Sequence, residues 1–115
     1  GYWLAVATGK GRSGLDKAIA QTDTQAFWLE TACAGEYPSK PAPDMVLALC
    51  DRLGVEPEEA VVVGDTTHDL EMAANAKIRA IAVTTGAHTA KQLSALPHVA
   101  MLNSLAELPD VLETL

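Results

Sequence analysis

Apolar and polar positions along the chain fall into short alternating blocks. Residues 3–8, Trp-Leu-Ala-Val-Ala-Thr, form an apolar run without helical period, and Gly9, Gly11 and Gly14 surround its end. That is the pattern of a buried parallel strand running into a turn. Over residues 13–22, Leu15, Ala18 and Ile19 recur at helical spacing, with Ser13 placed as an N-cap. Residues 24–39 are less regular: Phe27, Trp28 and Leu29 indicate a packed connector and residues 31–34 a short strand. Prolines 38, 41 and 43 then enforce a loop.

Residues 43–53 carry Met45, Val46, Leu49 and Leu53, an amphipathic helix that ends at Gly54. Residues 60–63, Ala-Val-Val-Val, are the clearest buried strand, closed by Gly64. The spacing predicts a helix over 67–76 with Leu70, Ala73 and Ala74 inward, a strand over 79–84 and a helix over 89–96. A last short strand follows at 99–102, and a closing helix at 105–114. Strands alternate with helices and never follow one another. The order predicts right-handed crossovers and one parallel sheet covered on both faces. Residues 1–115 read as a single α/β domain, and ligands of such sheets sit at the carboxyl ends of the strands.

Composition narrows this picture. Hydrophobic residues make up 49% and charged residues 20%, which is globular and argues against disorder. Only 4% of residues are aromatic, so Ala, Val, Leu and Ile must build the core. The net charge is −7 and no Lys/Arg cluster is visible, which speaks against a nucleic-acid partner. No apolar run has the length to span a bilayer, so no membrane partner is expected. Cys33 and Cys50 lack CxxC spacing and read as reduced thiols of a cytoplasmic protein.

Three predicted strand ends carry candidate chemistry. At Thr8-Gly9-Lys10 a hydroxyl beside exposed backbone N–H groups suits a phosphate oxygen, although a lone Thr-Gly is also an ordinary strand end. In Ser39-Lys40-Pro41-Ala42-Pro43, proline restricts the backbone around a lysine that would be a fixed positive charge. The alternative is a solvated loop lysine. The most specific feature is Val61-Val62-Val63-Gly64-Asp65-Thr66-Thr67-His68-Asp69. Asp65 leaves an apolar strand through a glycine, and Asp69 follows four residues later on the next helix. Paired carboxylates at a strand end are hard ligands of the kind magnesium takes. The structural alternative makes Asp65 an N-cap and Asp69 a partner of the helix dipole. His68 between them reads as exposed rather than catalytic.

Together, Thr8-Gly9, Lys40-Pro41-Ala42-Pro43 and Gly64-Asp65-Thr66-Thr67-His68-Asp69 resemble, in order and context, the haloacid dehalogenase (HAD) superfamily of hydrolases. The stretch 64–76 is similar to its phosphoglycolate-phosphatase branch. The resemblance implies a three-layer α/β/α sandwich with a mainly parallel Rossmann-like sheet. It implies hydrolysis of a small phosphomonoester, a small phosphorylated metabolite, through an aspartyl-phosphate with Mg2+. By the same resemblance Thr8 and Gly9 bind the phosphoryl group, Lys40 and Thr8 are catalytic, and Asp65 and Asp69 hold or orient the metal.

One departure is large. Family members begin with an apolar strand ending in Asp-x-Asp, whose first Asp is the nucleophile and whose second is the general acid and base. The seven aspartates here, at 16, 23, 44, 51, 65, 69 and 110, include no such pair. The expectation is a partial core domain without nucleophile strand or cap, a fragment inactive alone. Either a missing N-terminal segment of the same gene product or strand exchange in a homodimer would complete it. Two rivals stand beside this reading. A non-catalytic interaction module on the same scaffold explains the absent nucleophile. A phosphoacceptor receiver-like domain would use Asp65 with Thr84 or Thr85, but it lacks the required strand-end lysine.

Overall fold

The computed structural model describes residues 2–86 and 88–115. Its elements run β1 (Leu4–Gly11), α1 (Arg12–Thr22), β2 (Trp28–Ala34), α2 (Asp44–Leu53), β3 (Val61–Gly64), α3 (Thr67–Ala76), β4 (Arg79–Val83), α4 (Ala90–Ser94), β5 (Ala100–Leu102) and α5 (Leu108–Leu112). Short 3-10 turns precede β2, β3 and α5. The chain is an α/β fold of parallel strands, as the alternation of periods implies.

Among the described residues the strands form two sheets rather than one. β1 pairs with β2, and β3, β4 and β5 pair in that order, every ladder parallel. No ladder joins β1 to β3. The two sheets are held together by helices. Met45, Val46, Leu49 and Cys50 of α2 form a buried stripe that shares one apolar cluster with Ala32 of β2 and Met72 and Ala76 of α3. Ala5 and Ala7 of β1 and Val62 of β3 pack against that cluster, so it runs beneath both sheets. A second cluster joins Leu70 and Ala73 of α3, Ala80 and Ala82 of β4, and Leu93 of α4.

The open edge changes how β3 is buried. The Val61-Val62-Val63 run reads as a fully buried strand, but Val61 and Val62 are half-buried and Val63 is 37% exposed. β4 has a neighbour on each side and buries all its residues except Arg79. An apolar composition reports what a strand can tolerate, and neighbours decide what it buries.

Other differences are local. The strand expected at 31–34 starts at Trp28. Ser13 does not cap α1: its N-cap is Gly11, with no side-chain bond. Ala74 of α3 is exposed, while Met72 and Ala76 take the inward positions. The expected closing helix divides into a 3-10 turn and the short α5. Gly54 ends α2 as expected, at φ 69°, where its N–H closes on the Asp51 and Cys50 carbonyls.

β2 is also an edge, and its outer side is covered by side chains. Glu36 Oε1 accepts from the Cys33 N–H (3.1 Å), and Arg12 donates to Thr31 Oγ1 (2.7 Å) and to the Glu36 carboxylate (3.0 Å). This clamp occupies edge groups that would otherwise invite another strand.

Candidate functional site

The turn from β3 to α3 is built around Asp69. Gly64 ends β3 in a buried position, and a Cβ there would fall 2.7 Å from Asp69 Cγ and 2.8 Å from Oδ2. Only glycine lets the strand end pass so close to the carboxylate. Thr66 is the N-cap of α3. Its hydroxyl accepts from the Asp69 N–H at 3.2 Å. Asp69 Oδ2 answers by accepting from the Thr66 N–H (3.2 Å) and the Thr66 O–H (2.8 Å). This is a capping box with Asp in the third position.

Asp69 Oδ1 accepts from Lys40 Nζ at 2.5 Å, with the two side chains 10% and 19% exposed. Asp69 is the buried charged residue among those described, and it is buried with a cation, two further donors and a helix N-terminus around it. Lys40 is therefore no free loop lysine. Its loop is tied to α3 by Asn75, whose side-chain N–H donates to the Pro41 carbonyl at 2.9 Å. The Lys40–Pro41 peptide bond is cis.

Asp65 is placed differently. It is half-buried between β3 and α3 and makes no hydrogen bond among the described residues. It does not cap α3, because Thr66 does. A Cβ at Gly86, in the loop after β4, would lie 2.5 Å from Asp65 Cβ and overlap the carboxyl group beyond it. The same loop supplies His88, whose Nδ1 accepts from the Thr67 N–H at 2.9 Å. His68 is exposed, as its position predicts, and its ring lies edge-on to His88 with centroids 6.1 Å apart.

Thr8 lies near the carboxyl end of β1, half-buried, at the irregularity between Ala7 and Gly11 in the β1–β2 register. Its hydroxyl oxygen accepts from the Lys10 N–H at 3.1 Å, and Gly9 beside it is exposed. β1 and β2 are parallel, so Thr8 shares a rim with the loop that carries Lys40. The Lys40–Asp69 contact shows that this rim is continuous with the carboxyl end of β3. Lys40 and Asp69 are bonded directly beside Asp65 at the β3–α3 turn, while Thr8 and Gly9 stand near the carboxyl end of β1, where the hydrogen bond of the Thr8 side chain among the described residues is to Lys10. The sequence reading missed Thr66, Gly86 and His88. Thr66-x-x-Asp69 carries a visible capping signal, whereas nothing near Gly86 or His88 announces that they meet α3.

A second polar cluster joins Arg12, Thr31, Cys33 and Glu36 around the ends of β1 and β2. The hydrogen bond to Glu36 holds the Arg12 guanidinium above its ordinary pKa, and the same bond, helped by Cys33, holds the Glu36 carboxyl low. Burial, then Glu36, pushes the Cys33 thiol up. Burial, then Glu56, does the same to Cys50. Both thiols are free and buried. A cleft of about 420 Å³ beside Arg12, lined also by Trp28, Gln25 and Ile19, shares no residue with the Lys40–Asp69 cluster.

Residues 37–108 match the family model described as HAD-hydrolase-like. The chain is 37% identical over 109 residues to "Probable phosphatase IndB" of Dickeya dadantii, covering 93% of this chain and 47% of that protein. It is 33% identical to pyrophosphatase PpaX of Bacillus velezensis, covering 94% of this chain and 50% of that protein. In structure it superimposes on a predicted phosphoglycolate phosphatase of Haemophilus somnus with a TM-score of 0.90 at 22% identity, covering 97% of this chain and 50% of that one. The chain therefore spans about half the length of these proteins.

Proposed function

From a chain that belongs to the HAD-hydrolase-like family, we propose a phosphatase core that hydrolyses a small phosphomonoester with Mg2+, its nucleophile supplied by a segment outside these residues. The observation that supports the reading is the bond that holds Lys40 against Asp69 beside the β3–α3 turn that carries Asp65. Lys40 brings fixed positive charge to the phosphoryl oxygens of the substrate. Asp69 orients that lysine and builds the first turn of α3. Thr8 has accepted from Lys10 and keeps its O–H to donate. Gly9 leaves backbone exposed beside it.

The residues fit a magnesium ion through one carboxylate. Asp65 has oxygens without partners among the described residues, while the oxygens of Asp69 are taken. Magnesium is held by one or two carboxylates, with waters and substrate phosphate completing its shell. A bound Mg2+ would offset charge on the transferred phosphoryl group. In this reading Asp65 is a direct ligand and Asp69 acts through its neighbours.

The attacking carboxylate would arrive on an apolar strand seated between the open edges of β1 and β3. It would form an aspartyl-phosphate as the ester oxygen leaves, and water would then release phosphate. The buried free thiols of Cys33 and Cys50 suit a reducing, cytoplasmic setting. The substrate is a small phosphorylated metabolite.

The test uses the 115-residue chain with an aryl phosphate and Mg2+. The expected result is no turnover alone, and turnover when an apolar strand ending in Asp-x-Asp is supplied by fusion. Asp65→Asn and Lys40→Ala should each abolish the restored activity. Turnover by the chain alone would refute the missing-nucleophile reading. Restored activity that survives both substitutions would refute the site.

A further inference from the structure

The rim has a wall that none of the three motifs supplies. The loop after β4 reaches across to the β3–α3 turn and touches it at two points. At Gly86 the space a side chain would need is filled by Asp65: an added Cβ would meet Asp65 Cβ at 2.5 Å and overlap its carboxyl group. Asp is short and the overlap begins at its first side-chain carbon. A swing of the far end alone would not relieve it. Two residues on, His88 Nδ1 accepts the Thr67 N–H at 2.9 Å. Thr67 is the first residue of α3, so that N–H has no partner within the helix. A backbone donor leaves Nδ1 no choice but to be the unprotonated nitrogen, which places the ring proton on Nε2.

The geometry points to this loop as the positioning element for the Asp65 carboxylate. Gly86 sets the surface against which the carboxylate rests, and His88 pins the loop to the turn that carries it. The inference rests on the reading of Asp65 as a metal ligand and deepens it. Gly86 and His88 touch neither metal nor substrate and act through Asp65 and Thr67. The physical reason for such support is that Asp65, unlike Asp69, has no hydrogen bond among the described residues to fix its rotamer. A ligand held by packing alone depends on whatever fills the space beside it.

The test reads metal binding site by site in the intact chain. Mn2+ stands in for Mg2+, and its paramagnetic broadening of backbone amide NMR signals reports the bound position. In the wild type, broadening should centre on residues near Asp65 and Gly86. Gly86→Ala should require at least about tenfold more Mn2+ for the same broadening, in the range that supporting residues of metal sites show. His88→Leu should do the same. His88→Asn, whose side-chain carbonyl can also accept from Thr67, should restore near wild-type broadening. Thermal melts of each variant separate this from unfolding, and a Gly86→Ala that melts early leaves the decision to the His88 pair. Asp65→Asn separates the two levels of argument. If it abolishes broadening while Gly86→Ala and His88→Leu leave it unchanged, the positioning inference fails alone. If broadening survives Asp65→Asn, or is absent from the wild type, the metal reading fails and takes the inference with it.

Discussion

Asp69 gives both carboxylate oxygens to protein donors, and its removal should appear first in stability. Asp69→Ala strips the capping box and leaves Lys40 half-buried without its counter-ion, an expected loss of about 2–3 kcal/mol in urea unfolding. Asp65→Asn removes no hydrogen bond among the described residues and should stay within about 0.5 kcal/mol of the wild type. Spacing put the two carboxylates on one rim, but it could not divide their roles. That division depends on Lys40, which is 29 positions from Asp69 and arrives by tertiary folding. Glu36 offers a pH test elsewhere. Arg12 lowers its folded pKa, so its contribution is present above the unfolded value near 4.5 and lost as pH falls through the folded value. Glu36→Gln should flatten the decline of stability with acid below about pH 5, measured by urea unfolding at stepped pH.

Element boundaries follow the same division between local and distant causes. α3 begins and ends where its sequence says, because Thr66 caps it and Asp69 completes the box within a span of three residues. Thr66→Ala should therefore cost about 1 kcal/mol in thermal or urea unfolding, and more if Lys40 loses its partner's orientation. α2 likewise shows its buried stripe and its Gly54 stop in the sequence. Met45, fully buried beneath both sheets, is the residue whose truncation to Ala should cost about 2–4 kcal/mol. Where the sequence reading slipped, a distant neighbour decided. Ser13 was available as a cap, but the chain enters α1 from Gly11, and Arg12 at its first position turns to Glu36 and Thr31 instead. β2 starts earlier than its composition suggests because β1 pairs with it from Leu4 onward.

At the scale of the whole molecule, two parallel sheets share one apolar cluster built on α2 and α3, and among the described residues no ladder joins β1 to β3. The spacing of the seven aspartates shows that no Asp-x-Asp strand is present, and the resemblance implies that one belongs to the core. Neither could reveal that both sheets would still assemble. They do so because α2 and α3 bury a continuous cluster across the divide, so the core does not depend on a ladder at that point. The consequence should be visible in amide hydrogen exchange. β4 is paired on both sides, and its amides should be among the slowest in the chain. Along β3 successive N–H groups point alternately toward β4 and toward the open edge, so protection should alternate residue by residue. If an apolar strand is then supplied between β1 and β3, the unprotected half of the β3 amides should slow while those of β4 stay as they were. Uniform protection along β3 in the chain alone would mean that its outer edge is already paired, and the proposed seat of the nucleophile strand would be closed.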